Sequence, residues 1–138
     1  MNKYFTKEYI KECDCKEIQE LRPEILDIGD WCFSPHTNKI FLFDEAFAHF
    51  FDRKGTRTII WLPTGDQVEE EIVKIIDKNK NLDYKFTRQG MVKKYYAEIT
   101  DYSIHSGKDG YYIVHSENSL NPYIAKIKLL KKLLKVKK

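Results

Sequence analysis

The thiol and imidazole side chains able to ligate a metal are Cys13, Cys15, Cys32, His36, His49, His105 and His115. Structural zinc needs two close-spaced ligand pairs, because four donors must converge on one tetrahedral ion. Here the one close cysteine pair is Cys13 and Cys15, and no two histidines stand three or four residues apart. That pattern disfavours a metal, and an odd number of cysteines suits thiols in a reducing interior better than a disulfide framework. Cys32 with a distant histidine is compatible with thiol chemistry, but a nucleophile needs an activating neighbour that no segment supplies, and there is no Gly-x-Ser-x-Gly elbow. Metal-assisted hydrolysis would need convergent acids. Consecutive residues of a helix point about 100° apart, so Glu69, Glu70 and Glu71 cannot share one ion and read as a solvated face. Glycines 29, 55, 65, 90, 107 and 110 form no phosphate-cradling loop. No catalytic, cofactor or metal residue is assigned, and the expectation is a protein that is not an enzyme and uses no cofactor.

What remains is binding. The 138 residues carry 24 Lys+Arg and 21 Asp+Glu, net +3. Seven of the lysines and no acid fall in residues 121–138, which leaves 24 minus 7, or 17, basic residues against 21 acids in the first 120, net −4. Two recognition chemistries follow. Lysines neutralise phosphates and tyrosines stack bases, so Arg88, Lys93, Lys94, Lys128, Lys131, Lys132 and Lys135, beside Tyr95, Tyr96, Tyr111 and Tyr112, are the candidate nucleic-acid-binding set. Against it, only four of the basic residues are Arg, the better phosphate fork, and 15 Ile beside four Ala point to an A/T-rich genome that supplies lysine codons. Alternatively, Phe47, Phe50, Phe51 and Arg53 are the candidate protein-binding anchors, since aromatic and Arg side chains dominate interfaces. The acidic body would complement a basic partner surface.

These groups must be positioned by a small α+β domain. Residues 4–21 carry apolar side chains at three-to-four spacing and predict a helical segment broken near Asp14, where Asp14 and Glu17 suit a loose capping box. Pro23 stops it. Residues 29–33 and 39–43, joined by Ser34-Pro35-His36-Thr37-Asn38, predict a hairpin, and 56–62 a strand covered on both faces. Pro63-Thr64-Gly65-Asp66-Gln67 starts a helix with the stripe Val68, Ile72, Ile75 and Ile76. Residues 83–88, 92–104 and 111–116 predict a three-stranded meander. After Asn118–Pro122, a C-terminal amphipathic helix over 120–138 has the stripe Leu120, Tyr123, Ile124, Ile127, Leu130 and Leu134, flanked by lysines. A basic helix of this kind could also lie on an anionic membrane surface, although its stripe is what a sheet needs as cover. The expected architecture is a single domain over 1–138, with an antiparallel sheet of five to six strands flanked by two main helices plus an N-terminal helical segment (1–22). No apolar run reaches the roughly 18 residues of a membrane span and the start lacks an apolar signal block, so a cytoplasmic location is expected.

Gly29-Asp30-Trp31, then Ile60-Trp61-Leu62-Pro63-Thr64-Gly65-Asp66-Gln67, then Asn121-Pro122 before the terminal helix form a pattern that resembles a group of small phage and prophage accessory proteins. The resemblance spans roughly residues 20–134, with 44–58 longer than expected. Its motifs are a strand, a proline stop and a helix cap, so it transfers no catalytic residue. It implies an accessory product of a mobile element in a bacterial cell, and with it a host or defence protein as the favoured partner, bound in the manner of an inhibitor, with nucleic acid as the alternative.

Overall fold

A computed structural model describes residues 3–22, 29–43, 59–102 and 112–136. Chain contacts divide into two compact units, Met1–Thr64 and Gly65–Lys138. The first holds helices α1 (Lys7–Cys13) and α2 (Lys16–Gln19) and strands β1 (Trp31–Ser34), β2 (Lys39–Leu42) and β3 (Ile60–Leu62). The second holds α3 (Gly65–Ile76), β4 (Leu82–Gln89), β5 (Lys94–Asp101), β6 (Tyr112–Ser119) and α4 (Pro122–Val136). The protein is thus α+β, but its strands form two three-stranded antiparallel sheets, ordered β2-β1-β3 and β4-β5-β6, where one sheet of five to six was expected. Alternation along a strand reports which face is buried and says nothing about which strand lies beside it. Here β1 has both neighbours within its own unit.

In the first unit, the helical segment breaks where expected, with a different cap. Thr6 Oγ1 accepts from Tyr9 N–H at 3.2 Å and caps α1. Asp14 is the C-cap of α1, and the N-cap of α2 is Cys15, with no side-chain cap bond, so the Asp14 capping box is not formed. The hairpin pairs Trp31 with Leu42 and Ser34 with Lys39, and Asn38 takes the left-handed φ of +56° that the turn requires and asparagine tolerates. Side chains alternate across this sheet. Toward α1, the Phe5 ring meets Trp31 edge-on at 5.5 Å, and Tyr9 Oη donates to the Pro63 carbonyl at 2.6 Å. On the other face Cys32, Phe43, Ile59 and Trp61 form a buried cluster joined by Leu21 and Phe41. Gln19 closes the outer edge of β3. Its Nε2 donates to the Trp61 carbonyl at 3.0 Å while its Oε1 accepts from Trp61 N–H at 2.9 Å, so a side-chain amide stands where a fourth strand would. Arg22 Nη1 donates to the Ile59 carbonyl at 3.3 Å on the same edge.

In the second unit, β4, β5 and β6 make the expected meander, with Ala97 and Ile99 fully buried. Strand β6 runs on to Ser119, further than expected, and Asn121 Oδ1 then accepts from Tyr123 N–H at 2.9 Å to open α4 behind Pro122. Helix α3 starts directly after Thr64 and buries Val68, Ile72 and Ile76. On α4 the buried set is broader than the expected stripe: Ala125, Lys126, Leu129 and Leu133 join Ile124, Ile127 and Leu130, whereas Leu120 precedes the helix and is exposed.

Candidate binding groove

The feature of the first unit best suited to receive a ligand is a groove of about 410 Å³ between α1 and the β1–β2 hairpin. Phe5 and α1 residues Lys7 and Ile10 form one wall. Phe33, Asn38, Lys39 and Ile40 of the hairpin form the other. Phe33 and Ile40 are cross-strand partners, so their side chains share the face that α1 covers at Trp31. Phe5 is buried, Phe33, Ile10 and Ile40 are half-buried, and Lys7 and Lys39 are exposed at the mouth. An apolar floor with exposed Lys7 at its border, and Lys39 one position from Ile40 on the alternate face of β2, can hold apolar side chains and attract carboxylates. The α1 spacing and the hairpin pattern were both readable, but nothing in the sequence says that their apolar faces leave a gap.

The outer edge of β2 lies beside this groove. Phe43 N–H donates to the Asp30 carbonyl at 2.7 Å. Bonded and unbonded pairs alternate along an antiparallel ladder, so Cys32–Phe41 and Ser34–Lys39 are bonded pairs, and the main-chain groups of Ile40 and Leu42 point away from β1. The same parity turns the Trp61 main chain away from β1 on the other side, where Gln19 meets it. Among the described residues, β3's edge is covered and no strand pairs with that of β2.

The candidate protein-binding residues Phe47, Phe50, Phe51 and Arg53 lie outside the described residues. The nucleic-acid set is not drawn into one surface by the meander. Arg88 pairs with Tyr95 across the ladder and sits 5.9 Å from its ring, on the face that also carries Ala97 and Ile99. Lys94 alternates to the opposite face, and Lys93 holds the turn at φ +52°. On α4, Lys132 Nζ pairs with Glu117 Oε1 at 2.6 Å, while Lys135 is exposed and Lys128 and Lys131 are half-buried. Nearby His115 is held below its usual pKa, first by burial and then by the charge of Lys132, with Glu117 opposing.

Lys126 is the departure from the expected lysine flanks. It is 8% exposed, its Nζ lies 3.1 Å from Glu69 Oε1 and 4.3 Å from the centre of the Phe86 ring. Glu69 also accepts from Tyr84 Oη at 2.7 Å, so this acid is a bridge rather than part of a solvated face. Burial, then the hydrogen bond to Glu69, pushes the Tyr84 phenol far above its ordinary value. This is a neutralised, hydrogen-bonded knot linking α3, β4 and α4. Its ion pair and hydrogen bond tie three elements together, so it holds the unit together. Cys13, Cys15 and Cys32 form no disulfide, and burial, reinforced by Asp30, pushes the Cys32 thiol up to about 12. A thiol so raised is not a nucleophile at neutral pH. Among the described residues no three His, Cys, Asp or Glu side chains converge on a metal position, and no helix is long and apolar enough to cross a membrane. Comparison with family models, with curated proteins and with solved structures finds no match.

Proposed function

We propose that this protein acts by binding a macromolecule and not by catalysis, as a phage or prophage accessory protein in the bacterial cytoplasm whose target is a host or defence protein. The groove between α1 and the hairpin carries the reading: Phe33, Ile10 and Ile40 stay half-buried above a buried Phe5, leaving room for side chains of another chain. Each apolar side chain fully buried there contributes about 1.5–3 kcal/mol before the cost of association. Two or three such contacts suit a regulatory, reversible complex. Burial of the Cys32 thiol and the engagement of Glu69 by Lys126 and Tyr84 are in keeping with a binding role. The test is affinity capture from a bacterial host lysate with the native chain and with the double variant Phe33→Asp/Ile40→Asp, its fold checked by circular dichroism. A protein retained by the native chain and lost from the variant is expected. Identical retained sets refute the groove as the binding surface.

A further inference from the structure

We infer that the groove and the outer edge of β2 form one site, which takes an extended acidic segment of a partner protein as an added strand. The inference rests on the protein-binding reading above and specifies its mode. Outward main-chain groups, an apolar groove and exposed lysines coincide there. The N–H and C=O groups of Ile40 and Leu42 point outward from β2, as the ladder parity requires, and no strand among the described residues meets them. Such an edge is a template for an incoming strand, whose main-chain bonds supply affinity while alternate side chains supply specificity. On one face of that added strand, every second side chain would enter the apolar groove beside Ile40, Phe33 and Ile10.

Charge selects among occupants. Lys7 and Lys39 are both exposed and both border the groove, so aspartates and glutamates of the incoming strand gain and basic residues lose. A second copy of this chain would bring its own Lys7 and Lys39 to the same edge, and like charges there oppose self-pairing. The occupant is therefore an acidic, alternately apolar strand of another protein. Natural proteins block edges of this kind, and Gln19 does so on β3. An edge that no strand among the described residues meets, beside an apolar groove and with its sister edge closed, is the arrangement that strand addition needs.

The experiment selects 12-residue random peptides on the full chain, then measures the affinity of enriched peptides for four forms: native, Leu42→Pro, Lys7→Glu/Lys39→Glu, and Phe33→Asp/Ile40→Asp. Leu42 lies outside the groove lining and its N–H points away from β1, so proline there removes an edge donor without breaking the β1 ladder. Thermal melts confirm that each variant is folded. Enriched peptides should alternate apolar with acidic residues and lose at least tenfold in affinity on Leu42→Pro and on the charge reversal. Neutral or basic enriched peptides, unchanged affinity for Leu42→Pro, or no enrichment each overturn the inference. So does a dimer of the native chain that Leu42→Pro dissolves, which would make the occupant a second copy. If a captured host protein needs Phe33 and Ile40 but tolerates Leu42→Pro and the charge reversal, strand addition fails while the protein-binding reading stands.

Discussion

Replacing Gln19 by Ala tests the arrangement that makes one edge of the first sheet different from the other. The Gln19 amide makes three bonds: to the Trp61 carbonyl, from Trp61 N–H, and from Nε2 to the Cys13 carbonyl at 3.0 Å. A single hydrogen bond is worth about 1 kcal/mol net, and more when its loss strands a buried partner. Trp61 is 5% exposed and Cys13 fully buried, so water cannot readily replace the amide. Three lost bonds give about 2–4 kcal/mol. With a urea slope of roughly 1.5 kcal/mol per M for a chain of this size, the midpoint should fall by about 1.3–2.7 M. The two tryptophans, Trp31 and Trp61, both belong to the first unit, so their fluorescence reports that unit alone.

A second substitution makes the test chemical. Gln19→Glu keeps the acceptor for Trp61 N–H but turns a carboxylate oxygen toward two carbonyls. Only the protonated acid can donate there, so its folded-state pKa must rise above the unfolded value of about 4.3. A raised folded pKa means that stability is present below about pH 4.3 and is lost as pH rises through the folded value. Gln19→Glu should therefore approach the native chain in acid and fall to or below Gln19→Ala at pH 7. A loss under 0.5 kcal/mol for Gln19→Ala, or no pH dependence of the difference between Gln19→Glu and the native chain, refutes the clamp.

In the second unit, Lys126→Met should cost about 1–3 kcal/mol by stranding Glu69, and adding Glu69→Gln should restore much of it; urea melts of the double-mutant cycle measure the coupling. Gly65→Ala should destabilise the same unit, because a Cβ there would stand 2.7 Å from Tyr123 Cε1; a parallel gain for Gly65→Ala in Tyr123→Leu, seen in thermal melts, would confirm the steric cause. For the thiols, alkylation at pH 8 should modify the half-exposed Cys15 first and Cys32 only on unfolding. Because the Cys32 pKa is raised on folding, its contribution is complete below about pH 9 and declines as pH rises from there toward 12, a decline that Cys32→Ala should make shallower in the stability profile.

How much of this was legible follows from which signals are local. The start of α3 behind Thr64, the hairpin turn at Asn38 and the opening of α4 at Asn121-Pro122 are set by residues within a few positions of one another, and each was readable. Gln19 and Trp61 are 42 positions apart, and no periodicity links them. Lys126 shows the same limit differently. It sits between Ala125 and Ile127 on an amphipathic helix, where a lysine reads as a flank. Its burial depends on Glu69 and Phe86 arriving from two other elements. The groove was hidden for a third reason, since Phe5, Ile10, Phe33 and Ile40 each look like core positions and the sequence does not reveal how closely α1 approaches the hairpin.

The charge arithmetic also changes its meaning. Divided at the boundary between units, the 21 acids and 24 basic residues separate into 11 and 9 before residue 65 and 10 and 15 after it, net −2 and +5. The candidate groove is thus a positive mouth on a unit that is itself mildly acidic. A field of opposite sign around a basic mouth gives little long-range steering, so an acidic strand should arrive at an ordinary rate and be chosen at short range, by Lys7 and Lys39. Salt should accordingly weaken the complex mainly through its off-rate. Raising the salt from 50 to 300 mM, followed by stopped-flow fluorescence, should leave the association rate within about threefold. A steep fall in that rate would instead place the attraction on the +5 unit.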